Sequence, residues 1–172
     1  RRVGDIHRRL EQFSDARHSY EEAITRIRTL PQDIAETRAM RLERARIYNG
    51  LGLSLVREWG AEDDRVEAHK NARSILDRTD AIPLERFELA KTLYLLHRAE
   101  DHLRRHSKRK SDKQIDDTLP EARSILSSLL DESPGYPEYE LLLARCLLAE
   151  HCRKDPTAEQ PGIAILNRLV EN

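Results

Sequence analysis

Two histidines have the spacing of a metal-binding pair. His102 and His106 lie four residues apart in a helical stretch, so both imidazole rings could reach the same metal ion. No third ligand lies on the same side of the helix beside the pair, and the neighbouring Arg104, Arg105 and Lys108 would repel a cation. We therefore interpret the pair as part of a solvated helix end and expect no metal site there.

The two cysteines, Cys146 and Cys152, lie close to His151 and form a second, weaker group of this kind. Because six residues separate the cysteines on one predicted helix, they lie on different faces, and no disulfide is expected between them. Cys146 coincides with a packing position, where a cysteine behaves as a small core residue. This cysteine usage favours a reducing, cytoplasmic setting.

Motifs for phosphate binding and for acid–base catalysis are incomplete. The Gly50-x-Gly52 segment lacks the preceding strand and the third glycine of a dinucleotide site. The aspartate pairs 63–64 and 116–117 stand beside predicted helix starts, where carboxylates cap a helix and interact with its dipole. The sequence contains no nucleophile elbow, zinc-protease motif or phosphate-binding loop. We expect no catalytic residue, no cofactor and no metal, and hence a protein that is not an enzyme.

The densest basic run covers residues 104–113 and could contact nucleic acid through its phosphates, without reading sequence. No aromatic residue interleaves the run, and acidic residues follow it at once. The whole chain has 30 basic and 31 acidic residues, so its net charge exerts no general attraction on nucleic acid or on anionic membranes. Nucleic-acid contact through 104–113 remains an alternative function.

The elements that carry these residues are predicted to be helices throughout. The chain has 172 residues, of which 35% are charged and 5% aromatic, a composition that suits solvent-washed amphipathic helices. Apolar residues recur with a period near 3.6, and no stretch alternates as a strand would. The most apolar region, 141–149, is interrupted by Arg145, so no membrane-spanning segment is expected. The predicted helices are 1–10, 13–29, 34–59, 63–79, 84–106, 119–130, 139–152 and 158–170, with a polar insertion at 107–118.

Small and large residues alternate along these helices in a repeated pattern. Small residues let two helices approach closely, and large ones fill the space beside them. The segment ARSIL occurs twice, and its alanines are Ala72 and Ala122. The segment Leu51-Gly52-Leu55 repeats the pattern of Val3-Gly4-His7, and looser copies of that pattern follow at Ala90 and at Leu143, where a small residue is expected. The predicted packing residues of the repeat are Gly4, Ala16, Tyr20, Ala23, Gly52, Ala72 and Ala122.

The first of these copies, from Val3-Gly4 to Tyr20-Glu21-Glu22-Ala23-Ile24, resembles a tetratricopeptide repeat. The resemblance implies an all-α, right-handed superhelix of about four hairpins, with repeats near 1–33, 34–82, 83–135 and 136–172. The spacing between anchors exceeds the ~34 residues usual in the family, which implies extended helices and an insertion. We interpret the chain as one domain, 1–172, that is a fragment of a longer protein.

The repeats also resemble, more distantly, the tetratricopeptide arrays of large bacterial signalling proteins, such as those attached to Ser/Thr kinase domains. This second resemblance implies an alternative function, in which the region senses a small molecule and regulates an attached catalytic domain. The leading hypothesis is a scaffold for protein–protein contacts.

In the tetratricopeptide family, the first helices of successive hairpins line a concave groove that holds a peptide or a partner helix. Transferring those positions by the resemblance gives a groove that is cationic in its N-terminal half and apolar in its C-terminal half. The implied ligand is an acidic, partly hydrophobic peptide, because arginine binds both oxygens of a carboxylate. The alternative is that these arginines pair with nearby glutamates on a solvated face. The groove residues expected are Arg1, Asp5, Arg8, Arg9, Arg46, Asn49, Leu53, Val56, Arg57, Phe87, Lys91, Tyr94, Leu95, Glu140, Ala144, Leu147 and Leu148.

Two further expectations concern partners. Family members that bind chaperone tails hold a carboxylate with Lys and Asn residues, and this chain has Arg1, Asp5 and Gly50 at those positions. Because Asp5 would repel a carboxylate, chaperone tails are disfavoured as ligands. Leu166, Leu169 and Val170 lack a following polar helix in the sequence, so we expect another repeat to cover this face in the full protein and self-association through it in the isolated fragment.

Overall fold

The structure, a computed structural model, describes residues 1–78, 80–106, 118–154 and 161–171. Within those ranges every regular element is a helix, which confirms the all-α prediction. The helices are α1 (Arg2–Arg9), α2 (Phe13–Arg28), α3 (Gln32–Ala35), α4 (Arg38–Ser54), α5 (Glu62–Leu76), α6 (Pro83–His106), α7 (Thr118–Glu132), α8 (Pro137–Lys154) and α9 (Pro161–Glu171). A 3₁₀ turn, Leu55–Arg57, follows α4 directly.

The helices pack in chain order, each against the next long helix. The pairs α1/α2, α4/α5, α6/α7 and α8/α9 lie side by side, and short α3 packs on α4. The first helix of each pair also contacts the first helix of the next, from α1 to α4, α4 to α6 and α6 to α8. The solvent-exposed side of these four helices is called the first-helix face below.

Prolines begin three of the helices. The breaks predicted before the helices at 84 and 139 are present, and the proline at each break is the first residue of the following helix, Pro83 in α6 and Pro137 in α8; Pro161 begins α9. The first helical position needs no hydrogen-bonded amide, and its φ matches that of proline. In α6 the start is reinforced because Glu85 Oε2 accepts a hydrogen bond from the backbone N–H of Ile82 at 3.1 Å.

The long helix predicted over 34–59 is divided in the structure. A single turn, α3, ends at Ala35, and α4 begins anew at Arg38. Thr37 causes the restart, because its Oγ1 accepts a hydrogen bond from the backbone N–H of Met40 at 3.3 Å and so caps α4. At the other end the chain leaves through Gly60, whose φ of +84° favours glycine. The predicted insertion lies outside the described residues, except that Thr118 begins α7.

Glycines in the first helices hold aromatic or imidazole rings from neighbouring helices. A Cβ at Gly4 would lie 2.8 Å from Tyr20 Cε1, and one at Gly50 would lie 2.5 Å from the same atom. Tyr20 of α2 is therefore held between α1 and α4. In the next hairpin, a Cβ at Gly52 would lie 2.7 Å from Nε2 of His69 on α5. These positions need glycine for close approach.

The other predicted packing residues differ in burial. Ala16, Ala72 and Ala122 are fully buried, whereas Ala23 is only partly buried and lies at the edge of the α2–α4 core. The larger core runs from α4 through α8 and contains Ala72, Ala90 and Ala122 together with leucines of α5, α6 and α7.

The fourth hairpin has a different register from the one that the sequence suggests. Leu143 is only partly buried, while Ala144 is fully buried, and a Cβ on Gly162 of α9 would lie 2.7 Å from the carbonyl oxygen of Ala144. Ala144 is thus the small residue against which α9 packs. The repeat continues in α8, displaced by one residue.

Candidate functional site

Arg46 and Lys91 lie beside the same carboxylate. Arg46 Nε on α4 donates to Glu88 Oε1 on α6 at 2.9 Å, and Lys91 Nζ lies 3.7 Å from Glu88 Oε2. Glu88 is itself buried, whereas the Lys91 side chain is nearly half exposed. Two cations share one carboxylate, so this part of the first-helix face keeps an excess positive charge.

Asn49 lies inside the protein and does not line a groove. Its Nδ2 donates to Thr92 Oγ1 at 2.8 Å, and its Oδ1 lies 3.0 Å from His69 Nδ1. All three side chains are buried. Burial lowers the pKa of His69 to about 3, so the ring is neutral and its Nδ1–H donates to Asn49. Asn49 links α4, α5 and α6, and the groove assignment for this residue is replaced by a structural one.

Of the arginines predicted nearest the N-terminus, Arg1 and Arg8 have partners within the chain. Arg1 Nε lies 2.9 Å from a carboxylate oxygen of Glu43 on α4. Arg8 is partly buried beside the Tyr20 hydroxyl, which donates to Asp5 Oδ1 at 2.7 Å. Arg9 is exposed. The Arg1–Glu43 pair agrees with the alternative prediction, in which these arginines pair with nearby glutamates on a solvated face.

Arg57 lies at the edge formed by the α1–α2 turn and the 3₁₀ turn. Its Nη1 is 3.6 Å from Glu11 Oε2, and its guanidinium lies 5.3 Å from the centre of the Phe13 ring. Next to it, Arg17 of α2 binds Glu58. Arg57 therefore joins an edge cluster, apart from the Glu88 pair that holds Arg46.

An aromatic cluster connects α6 with α8. The ring centres of Phe87 and Tyr139 are 4.9 Å apart, and those of Tyr139 and Tyr136 are 5.1 Å apart in a stacked arrangement. Tyr136 is about half exposed. Phe87 shares one side of α6 with Lys91 and Tyr94, because these residues are four and three apart. We call Phe87, Lys91, Tyr94, Tyr136 and Tyr139 the aromatic–lysine surface.

Arg98 extends this stripe and was absent from the predicted set. It follows Lys91 by seven residues on α6 and is exposed, so it lies two turns further along the same side. The i, i+7 spacing was the sequence signal that could have identified it.

The predicted groove residues of the fourth hairpin belong to another surface. Glu140 forms an ion pair with Arg168 of α9 at 3.0 Å, and a Cβ on Gly162 of α9 would lie 2.7 Å from the carbonyl oxygen of Ala144 and 2.8 Å from Leu148 Cγ. All three residues therefore contact α9, as follows from the displaced register. Leu147 is partly buried, and Leu95 of α6 is buried in the core instead of lining a groove.

A cleft within the first two hairpins was not predicted. It has a volume of about 420 Å³ and lies between the C-terminal turns of α2 and α5, with α3 and α4 completing its walls. Two arginines line it, with no acidic side chain among the lining residues. The lining residues are Ile24, Ile27, Arg28, Leu30, Gln32, Ala35, Arg44, Tyr48, Asn71, Ser74 and Ile75.

Trp59, the only tryptophan of the chain, is 99% exposed. It follows the 3₁₀ turn that carries Arg57, and Val56 beside it is also exposed. Exposed Trp is unusual in a folded domain and enriched at interfaces, so this edge is a secondary candidate contact.

The groups considered for metal binding gain no support in the described ranges. Those ranges contain no group of three or more His, Cys, Asp or Glu residues placed to hold a metal ion. Cys146 is buried in the core. Burial raises the pKa of its thiol to about 12, so the thiol stays protonated. The side chains of His106, His151 and Cys152 lie outside the described set.

In the basic run, Arg105 binds Asp101 at 2.7 Å and Arg104 binds the same carboxylate. The remainder, 107–113, lies outside the described residues.

No family model, curated protein or solved structure matches this chain. Among the described helices, none combines the length and the apolar character needed to cross a bilayer.

Proposed function

We propose that this protein is a non-catalytic scaffold with a superhelical, tetratricopeptide-like arrangement, and that its first-helix face binds an acidic, partly hydrophobic peptide or partner helix. The observation that carries the proposal is the aromatic–lysine surface, in which Tyr139 of α8 contacts Phe87 of α6 and stacks on Tyr136 from the turn before α8. Aromatic residues of this kind dominate the energy of protein interfaces when a partner buries them.

The geometry of α6 supports an extended ligand. Phe87, Lys91 and Tyr94 occupy successive turns of one side of the helix, so an apolar contact is followed by a cation and then by another aromatic ring. A ligand with alternating apolar and acidic side chains along one edge matches this order. Carboxylates of the ligand lie beside Lys91 in this arrangement.

The charge around Glu88 favours acidic ligands. Arg46 and Lys91 both contact Glu88, so the carboxylate compensates only one of them. A ligand carboxylate can take the exposed Lys91 without breaking the Arg46–Glu88 hydrogen bond. That asymmetry favours a role for Lys91 in ligand binding and for Arg46 in positioning Glu88.

A random-peptide display library selected on the immobilised 172-residue chain tests the proposal. Enriched peptides should combine Asp or Glu with Leu or Phe, and Lys91→Glu should raise their Kd about tenfold or more, corresponding to ~1.4 kcal/mol. Tyr139→Ala should weaken the same peptides. Lys70→Glu is the matched control, because Lys70 is an exposed lysine on a second helix, α5. Selected peptides without acidic residues, or equal loss in the Lys70 variant, would refute the assignment.

A second candidate function, regulation of an attached domain by a small molecule, has the α2–α5 cleft in its favour. The cleft combines isoleucines with Arg28 and Arg44. Arg44 Nη1 lies 3.6 Å from Glu36 Oε1, so Arg28 is the cation that would bind the carboxylate of a small apolar ligand. Decanoate serves as the probe and decanol as its uncharged counterpart. Protein-detected NMR should show decanoate shifts at the cleft that vanish in Ile75→Trp, where the ring fills the space. Equal binding of decanol, or shifts unaffected by Ile75→Trp, would reject this candidate.

A further inference from the structure

Arg65 of α5 is buried without a partner for its charge. It is 7% exposed, and no other arginine of the described residues is as buried. Its Nε is enclosed and donates no hydrogen bond, and its guanidinium forms no ion pair with any residue that the structure describes. A buried charge is costly unless an opposite charge compensates it, because it has lost its hydration.

Other arginines that join neighbouring helices have a carboxylate, although they are less buried. Each keeps about a quarter of its side chain exposed and lies within 3 Å of its partner, in the pairs Arg46–Glu88, Arg73–Glu121 and Arg86–Glu132. In this protein an interhelical arginine is thus matched by a glutamate, and Arg65 is the exception.

The guanidinium of Arg98, on α6, lies near Arg65. Val66, which follows Arg65, packs in one small core with Leu96 and Ala99, the residues two before and one after Arg98. Burial lowers the pKa of Arg65, and the positive charge of Arg98 lowers it further. Arg98 is exposed, so an enclosed and an accessible cation lie together where α5 contacts α6.

Glu62 is the acidic side chain that acts on Arg65. It lies one turn earlier on α5 and raises the pKa of Arg65, but it stays outside ion-pair distance. The next two residues, Asp63 and Asp64, are exposed on other sides of the helix. Two guanidinium charges against one carboxylate charge leave a single excess positive charge. A singly charged anion balances it, and a carboxylate also fits the arginine fork.

From this arrangement we propose that Arg65 and Arg98 together bind one carboxylate group, which accepts hydrogen bonds from both guanidinium groups. Arg98 continues the side of α6 that carries Lys91, so an acidic side chain of a peptide on the aromatic–lysine surface is one source of that carboxylate. A small free carboxylate is the other source. The peptide source rests on the function proposed above, whereas the site itself does not.

Acetate is the probe for the site. Because Arg65 Nε is enclosed, its N–H exchanges slowly with water and can be followed by NMR, together with the backbone amides of Val66 and Ala99. Sodium acetate, exchanged for sodium chloride at constant ionic strength and near neutral pH, should shift these signals to saturation. Sodium sulfate, whose anion is doubly charged, should bind about tenfold more weakly or not at all.

Four variants separate the site from general electrostatics. Arg65→Met keeps a long apolar side chain in the buried position and should abolish the saturable shift, with circular dichroism verifying the fold. Arg98→Gln changes an exposed residue and should weaken acetate binding about tenfold or more. Glu62→Gln should tighten it. Arg73→Gln is the matched control, because Arg73 lies on the same helix and is paired with Glu121, and it should leave acetate binding unchanged.

Peptides selected on the immobilised chain distinguish the two sources. If a peptide supplies the carboxylate, acetate competes with it and Arg98→Gln weakens it; if Arg98→Gln binds the peptide as the wild type does, the source is a small free carboxylate. The proposal is overturned if acetate gives no saturable shift, if sulfate binds equally well, if Arg98→Gln leaves the acetate affinity unchanged, or if Arg73→Gln weakens it as much. Because the acetate titration contains no peptide, its failure leaves the proposed scaffold function standing.

Discussion

Tyr20 and His69 occupy the same place in two successive hairpins but have different chemistry. Each ring comes from a second helix and lies against a glycine of the first helix in its hairpin. The Tyr20 ring also contacts Gly50 of the next hairpin, and its hydroxyl reaches Asp5, which is partly exposed. The His69 ring is enclosed, with Nδ1 bonded to Asn49, and Nε2 has no hydrogen-bond partner among the residues that the structure describes.

The difference shows how one repeat position serves two purposes. Tyr20 is an apolar ring whose polar tip leaves the core, and burial together with Asp5 raises its pKa to about 12, so it remains neutral. His69 is a polar ring within the core, where its hydrogen bond with Asn49 ties α5 to α4 and, through Thr92, to α6. The first hairpin is thus held by packing, and the second by packing plus a buried polar network.

The largest expected effect tests the packing of Tyr20. Tyr20→Ala should cost about 3–5 kcal/mol of unfolding free energy, because it removes a fully buried ring. Gly50→Ala should destabilise the wild type by about 1–3 kcal/mol, since its Cβ would overlap the ring. In the Tyr20→Ala background, Gly50→Ala should instead be neutral or stabilising, because alanine favours the helix. Urea denaturation of the four proteins measures this coupling, and additive effects would show that the ring is not clamped.

A smaller effect separates the two hairpins by pH. The pKa of His69 is lowered to about 3 in the folded chain, against an ordinary value near 6.5. Between these values the unfolded chain binds a proton that the folded chain does not, so stability falls as pH decreases from about 6.5 toward 3. This residue contributes on the order of 1 kcal/mol per pH unit in that window.

His69→Gln keeps a hydrogen-bonding partner for Asn49 and removes the titration. Lowering the pH from 7 to about 4.5 should therefore reduce the unfolding free energy of the wild type more than that of His69→Gln. Carboxylates titrate in both proteins and cancel in the comparison. Tyr20→Phe in parallel should show no such pH-dependent difference, and an equal slope in wild type and His69→Gln would contradict the burial argument.

The smallest effect concerns the polar tip of Tyr20. Tyr20→Phe keeps the ring and removes only the hydrogen bond to Asp5, at a partly buried site. The expected cost is about 1 kcal/mol. Thermal unfolding measured by circular dichroism checks it. A loss as large as that of Tyr20→Ala would mean that the hydroxyl, and not the ring, holds the first hairpin.

The sequence was informative where a residue's role depends on its own helix or its immediate partner. The helical class followed from periodicity, and Gly4, Ala16 and Tyr20 were identified as packing residues because all three lie in one local hairpin. Gly50 escaped this reasoning, since its contact with Tyr20 joins two hairpins.

The candidate surface was less predictable, because it depends on which side of each helix its neighbours cover. Asn49 was expected to face a groove, yet α5 and α6 enclose it. In α8, a displacement by one residue turns Ala144 and Leu148 toward α9. The pairing of Arg46 with Glu88 depends on the approach of α4 to α6, which no local pattern specifies.

Trp59 has a practical consequence for spectroscopy. Its indole is already in water in the folded protein, so its emission maximum should change little on unfolding and is a poor measure of stability. The same property makes it a low-background probe of association. A blue shift of the emission would report that another molecule has covered the edge where the 3₁₀ turn meets the α1–α2 turn.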